Sequence, residues 1–246
     1  KELAANDATP LYAGVKQIIL DRIHSGEWPP KYRVPSENEL VVELGVSKMT
    51  ANRALRELAN EGELIRIQGV EHLTDPAGRP VIMLTPHFVG LDAGGTVVSM
   101  HVVGCSVFSM QKNPVLNKLL YDGRMRFNPA VLLSRQDGMR KIVKAMKEGH
   151  PFYYLPDMDF GPKESIFVPF FGVQAATIPA LSRLVRLTGA LVVPVICRQV
   201  PDGYEIEVMP AWENFPGDSV EADTAQMNRF IESQVLRMPE QYFWLH

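Results

Sequence analysis

The chain has 246 residues, 46% of them hydrophobic, and a formal net charge of −3. That length allows one large or two ordinary domains with real cores, and the near-neutral balance excludes inferring a nucleic-acid or anionic-membrane partner from bulk charge. Dividing the chain after Gly69 changes nothing, since nine Lys/Arg face ten Asp/Glu before the division and sixteen face eighteen after it.

Leu11, Val15, Ile18, Ile19 and Ile23 recur at helical spacing and predict an amphipathic helix that stops at Ser25-Gly26. Ser36 followed three positions later by Glu39 is a capping box that opens a short helix through Leu44. Gly45-Val46 makes a turn, and Ser47 starts a further helix with Ala51, Ala54, Leu55 and Leu58 on its inner face. Helix, tight turn, helix is the motif that lays its second member in the DNA major groove. Ser47, Lys48, Thr50 and Asn52 fall towards the groove-facing end of that helix, where hydroxyls and an ammonium meet phosphates and an amide reads a base edge.

Beyond Gly69 the pattern alternates between strand and helix. Val81 to Leu84, Phe152 to Leu155 and Ala190 to Cys197 are apolar runs fit for buried strands. Met139, Ile142, Val143 and Met146 keep helical spacing, as do Ile178, Leu181, Leu184 and Val185, and a last helix is predicted over about Thr224 to Leu236. The expected architecture is therefore two domains: residues 1–69, mostly α, then residues 70–246, an α/β domain with a mixed sheet covered by helices. Cys105 and Cys197 are far apart and lack histidine pairs, which predicts buried thiols and no zinc site. No apolar run reaches the ~20 residues of a membrane span, and no signal peptide is expected.

Thr85-Pro86-His87-Phe88-Val89-Gly90-Leu91-Asp92 follows the first buried run and sets a histidine and a carboxylate five residues apart. A neutral imidazole takes a proton from an alcohol near neutral pH, and a carboxylate on its other nitrogen fixes the tautomer and stabilises the imidazolium. For the pair to meet, the chain must leave helical conformation near His87.

Five blocks carry a resemblance. They are Gly78 to His87, Gly123-Arg124-Met125-Arg126-Phe127-Asn128, Tyr154 to Pro162, Phe167-Val168-Pro169-Phe170-Phe171-Gly172, and the terminal Pro239 to His246. Together they make residues 75–246 resemble the lipid A late acyltransferases, lauroyl- and myristoyl-type enzymes within the lysophospholipid acyltransferase superfamily. The resemblance implies transfer of a fatty acyl group from an acyl carrier protein thioester to a hydroxyl of a phosphorylated glucosamine lipid, the lipid A precursor, with no bound cofactor or metal. It places such an enzyme peripherally on the cytoplasmic face of a Gram-negative inner membrane. In that reading His87 is the general base and Asp92 holds its imidazole. One of Arg124 and Arg126, with backbone N–H groups near Phe88 to Gly90, stabilises the oxyanion. Asp157 and Asp159 position an arginine or the acceptor sugar. Phe170 and Phe171, with Phe160 and Tyr153, line an acyl-chain channel. The family's usual N-terminal anchor and basic C-terminal tail have no counterpart in these blocks, and weakened activity is the expectation.

A second resemblance occupies the other end. Pro35 to Leu40, Leu44 to Leu58 and Glu61 to Gly69 make residues 11–69 similar to the winged-helix DNA-binding domain of GntR-type regulators, in particular the histidine-utilisation repressors. It implies DNA contacts from the recognition helix and, in the wing, from Arg66 and Gln68. After Gly69 the chain continues Val70-Glu71-His72-Leu73 in the acyltransferase pattern, so an incomplete wing is expected. The chain thus reads as a chimera, whether an engineered fusion, a computed sequence or an assembly error, ahead of a natural fusion. Two alternatives to the enzyme remain: a DNA-binding regulator with a passenger domain, and a hybrid that does neither.

Overall fold

The computed structural model describes residues 10–29, 32–61, 64, 66–125, 127–134, 137–158, 161, 163–201 and 203–244. They divide into two compact units, one running to Arg66 and taking in 200–203, the other holding 67–199 and the residues from Tyr204 onwards.

In the first unit, helices α1 (Leu11–His24), α2 (Glu37–Leu44) and α3 (Lys48–Asn60) surround a small core. Ser36 and Glu39 form the full capping box: the Glu39 carboxylate accepts the Ser36 N–H at 2.6 Å while the Ser36 hydroxyl accepts the Glu39 N–H. These bonds satisfy donors that a helix start otherwise leaves orphaned. Gly45 ends α2 at φ +66°, a left-handed cap that only glycine adopts without strain. The Ser47 hydroxyl then accepts the Thr50 N–H at 3.1 Å and starts α3. Val15, Ile19, Leu40, Ala51, Ala54 and Leu58 are wholly buried between the helices, and each of the larger ones contributes about 1.5–3 kcal/mol by leaving water.

The second unit is built on a seven-stranded sheet. Its strands are β1 (Arg66–Gln68), β2 (Val81–Leu84), β3 (Cys105–Phe108), β4 (Val131–Ser134), β5 (Phe152–Tyr154), β8 (Leu191–Val200) and β9 (Gly203–Val208), in the spatial order β1-β9-β8-β2-β5-β3-β4. A separate antiparallel hairpin joins β6 (Ile166–Phe170) to β7 (Val173–Thr177). Helices α4 (Leu91–His101), α5 (Pro114–Met125), α6 (Gly138–Lys147), α7 (Ala180–Thr188) and α8 (Val220–Arg237) complete the unit.

All four residues of β2 are buried, as a central parallel strand covered on both faces requires. Its neighbours β5 and β8 run parallel to it, with Leu84 opposite Tyr154 on one side and Pro194 on the other. The carboxyl ends of β2 and β5 therefore lie side by side, which is where open α/β sheets gather their ligands.

The segment expected to begin the wing has another place in the structure. Arg66–Gln68 does form a strand, but as the edge of the seven-stranded sheet beside β9. Gly69, at φ +74°, follows at once, and a Cβ there would fall 1.9 Å from the Val208 carbonyl oxygen. The glycine that matches the regulator pattern is thus a steric requirement of the seven-stranded sheet.

Candidate active site

His87 lies three residues past the end of β2, and Asp157 lies three residues past the end of β5. Since Leu84 and Tyr154 are in register, equal extensions bring the two side chains together. Asp157 Oδ1 is 2.6 Å from His87 Nδ1, and its Oδ2 accepts the His87 backbone N–H at 2.9 Å. One carboxylate thus fixes both the ring and the main chain of the histidine. With Asp157 ionised, Nδ1 is the donor and Nε2 carries the basic lone pair. The histidine and aspartate side chains are 15% and 7% exposed, so little solvent screens the pair.

The C-terminal segment locks this loop. Phe88 bridges Tyr242 in antiparallel fashion, the Val89 N–H donates to the Gln241 carbonyl at 2.8 Å, and the Phe243 N–H donates to the His87 carbonyl at 2.9 Å. Tyr242 packs its ring against Phe88 and hydrogen-bonds Asp157 through its hydroxyl. Burial first, then the Asp157 charge, holds the Tyr242 phenol above its ordinary range, so it stays a donor to the carboxylate. Tyr154 is pushed the same way, by burial and then by Asp157.

Asp92 is placed otherwise than the sequence suggests. It sits in the first turn of α4, its side chain is 80% exposed, and its carboxylate lies 3.6 Å from Arg124 Nη2. The carboxylate at His87 Nδ1 is that of Asp157, so the imidazole-holding role given to Asp92 is corrected to Asp157. The reason is topological, because a parallel strand pair aligns loop residues that are 70 positions apart. His87 lies in the loop after β2 and Asp92 in α4, and the expected His87–Asp92 pair does not form.

Asp92 and Arg124 instead flank a cavity of about 320 Å³. Its walls include Met83, Val98, Leu119, Leu132 and Tyr153, and His87 is not among them. The Arg124 guanidinium also stacks over Phe108, 5.5 Å from the ring centroid. The start of α4 presses close to the sheet, since a Cβ on Gly90 would meet Cys197 Sγ at 2.6 Å. Cys105 and Cys197 are buried, and burial pushes each thiol up from 9.0 to about 12.

Further expectations are corrected here. Phe170 and Phe171 are not in the wall of this cavity; Phe170 packs on Tyr242, and Phe171 meets Phe170 edge-on and lies tilted against Trp244. Tyr153 does line it, with its hydroxyl donating to the Leu91 carbonyl at 3.1 Å. The Phe88 N–H, expected to serve an oxyanion, donates to Pro86, as that of Val89 does to Gln241. Asp157 binds His87 where the sequence suggested a role towards an arginine or a sugar. Arg126, Asp159 and Phe160 lie outside the described residues, as does the side chain of Arg66. In the first unit, Ser47 and Thr50 bond each other at 2.8 Å, and Asn52 donates to Glu37, so these three groups are engaged within the protein. Lys48 and Gln68 are exposed. Tyr242 was missed altogether, because nothing local to a tyrosine near a chain's end marks it as a partner of Asp157.

Among the described residues no group of three His, Cys, Asp or Glu side chains is arranged to hold a metal, and no helix is long and apolar enough to cross a membrane.

Residues 40–246 match the family described as bacterial lipid A biosynthesis acyltransferase. The lipid A biosynthesis lauroyltransferase of Escherichia coli is 37% identical over 196 residues, 78% of this chain and 62% of that protein. The palmitoleoyltransferase of the same organism is 34% identical over 185 residues, 73% of this chain and 60% of that one. The chain thus spans about three fifths of the length of these relatives. The histidine utilization repressor of Pseudomonas putida is 58% identical over 74 residues, 30% of either chain, which supports the chimeric reading. The crystal structure of the 1-acyl-sn-glycerophosphate acyltransferase PlsC from Thermotoga maritima overlays 93% of this chain at a TM-score of 0.45 and 14% identity. With the family match running through β2, β5 and the terminal segment that together hold His87, the chain belongs to the bacterial lipid A biosynthesis acyltransferases, behind a repressor-like segment.

Proposed function

We propose that the second unit transfers a fatty acyl group from an acyl carrier protein thioester to a hydroxyl of a phosphorylated glucosamine lipid. The observation that carries this reading is the His87–Asp157 pair, held at 2.6 Å at the carboxyl ends of two parallel strands in a chain of this family. His87 Nε2 removes the hydroxyl proton as the oxygen attacks the thioester carbonyl. Asp157 stabilises the imidazolium formed, and Tyr242 with the His87 N–H keeps that carboxylate in place. The tetrahedral intermediate then collapses, the C–S bond breaks, and the imidazolium returns the proton to the departing thiolate. No acyl-enzyme is required, since the thioester is already activated.

The mostly apolar cavity, of a size that suits small ligands, supports a place for the acyl chain. Arg124, at its edge, is the candidate to meet negative charge developing on the carbonyl oxygen, or a phosphate of the acceptor. Such an enzyme works peripherally on the cytoplasmic face of the inner membrane. The test is acyl transfer from a carrier-protein thioester to a lipid A precursor by the intact chain and by its His87→Ala variant. Equal rates for both would end the proposal.

The regulator reading keeps one supporting observation, the complete cap, turn and core of the repressor-like unit. A gel-shift against repressor operator DNA over a salt series tests it, since true phosphate contacts make affinity fall steeply with salt.

A further inference from the structure

Helix α5 is amphipathic in sequence, yet none of its residues is buried. At ~100° per residue, Val115, Leu119, Gly123, Leu116 and Leu120 fall on one arc of about 140°, with Asn117, Lys118, Asp122 and Arg124 outside it. Val115, Leu116, Leu119 and the preceding Met110 are between 43% and 76% exposed. A stripe of this kind ordinarily faces a core, and clustered exposure of large apolar side chains marks an interaction surface.

Two observations identify what covers it. Leu119 belongs both to the exposed stripe and, with Leu120, Gly123 and Arg124, to the wall of the 320 Å³ cavity, so the apolar surface runs without a break from solvent into the interior. The segment 109–125 also carries Lys112, Lys118 and Arg124 against Asp122; Lys118 pairs with Asp122 at 2.6 Å and Arg124 lies 3.6 Å from Asp92, which leaves the exposed Lys112, between Met110 and the helix, as the cation outside these pairs. Apolar side chains beside cations, on a helix too short and too polar to span, are the composition of a segment lying in the plane of an anionic bilayer.

We propose that α5, with Met110, is the membrane-docking face of this unit, seating its apolar stripe among lipid tails so that the cavity opens towards the bilayer. The choice of lipid rests on the acyl-transfer reading above. Lys112 then sits at the level of the phosphate headgroups, and an acyl chain reaches the cavity past Leu119 without crossing water.

The experiment is co-sedimentation of the full chain with vesicles of phosphatidylethanolamine and phosphatidylglycerol, and with vesicles of phosphatidylcholine alone. The expected result is binding to the anionic vesicles that weakens with salt and falls about tenfold or more in the combined variant Met110→Gln, Val115→Gln, Leu116→Gln. Leu187→Gln with Leu236→Gln, equally exposed on α7 and α8, should bind as the parent does. These three changes, one just before α5 and two on it, lie outside the cavity wall at exposed positions, so an unaltered thermal melt accompanies them. No vesicle binding by the parent, or undiminished binding by the α5 variant, overturns the proposal. So does an α5 variant that still binds vesicles but no longer binds acyl carrier protein, which would give this face to the acidic carrier. His87→Ala should dock like the parent. Docking that depends on α5 in a chain that transfers no acyl group would refute the proposed chemistry and leave this inference standing.

Discussion

The repressor-like unit and the His87 site are assembled by opposite means. In the first, every specifying interaction is short in sequence: Ser36 with Glu39, Ser47 with Thr50, Gly45 between two helices. In the second, the decisive bond joins residues 70 positions apart, and a third partner, Tyr242, comes from 85 positions further on. Local structure survives in a foreign context because its contacts travel with it. A site made by strand register exists only when the whole sheet has formed. The unit that reads most plainly from sequence is therefore the one whose activity is least supported, since its candidate hydroxyls and amide are engaged internally.

The largest expected effect tests the assembled site. His87→Ala should lower acyl transfer about 10²–10⁴-fold, the usual worth of a positioned general base. Asp157→Asn should follow it closely, while Asp92→Asn should cost far less, because Asp92 is solvated and pairs with Arg124. Steady-state rates for the three variants decide the matter, and a larger loss in Asp92→Asn than in Asp157→Asn would restore the sequence-derived pair.

Next comes the junction. Gly69→Ala places a Cβ against the Val208 carbonyl and a non-glycine residue at positive φ, which together should destabilise the chain by about 1–3 kcal/mol or more. Denaturant melts read this directly. An unchanged midpoint would mean that β1 is dispensable to the sheet and that Gly69 belongs to the regulator pattern alone.

Smaller still is the local unit's own cap. Ser47→Ala removes the acceptor for the Thr50 N–H and should cost about 1 kcal/mol, with acyl transfer unaltered. A loss of transfer in that variant would show that the two regions are not independent. Tyr242→Phe should also cost about 1 kcal/mol by deleting one hydrogen bond, but here the rate of transfer should fall as well, because the lost donor steadied Asp157.

The smallest effect at neutral pH concerns the buried thiols. Cys105 and Cys197 are raised from 9.0 to about 12, so the folded protein holds these protons after the unfolded chain has released them. The stability they contribute is complete below pH 9 and declines as pH climbs from about 9 towards 12. Alkylation of the native chain should be slow at pH 8, and rapid labelling there would show that the thiols are reachable.

Periodicity and punctuation made much of this protein legible. Ser36, Gly45 and Ser47 mark helix boundaries that the structure places within a residue or so, and Val81 to Leu84 is β2 to the residue. The apolar spacing around Ile142 and Leu181 marks α6 and α7. Strands β3 and β4 were not visible, because Ser106 interrupts the apolar run of β3, and the apolar run Val131-Leu132-Leu133 of β4 is short and only half-buried at the sheet edge. His87 was identifiable from its residue type and its place after a strand. Its carboxylate was not, since Asp92 is near in sequence and Asp157 near in space. The sequence by itself determined α1, α2, α3, α6, α7 and α8 and the strands β2, β5 and β8, through signals within a few residues of each other. The tertiary structure decided which carboxylate serves His87, where Arg66–Gln68 pairs, and that α5 leaves its apolar side uncovered, because each depends on strand order and register that no local pattern encodes.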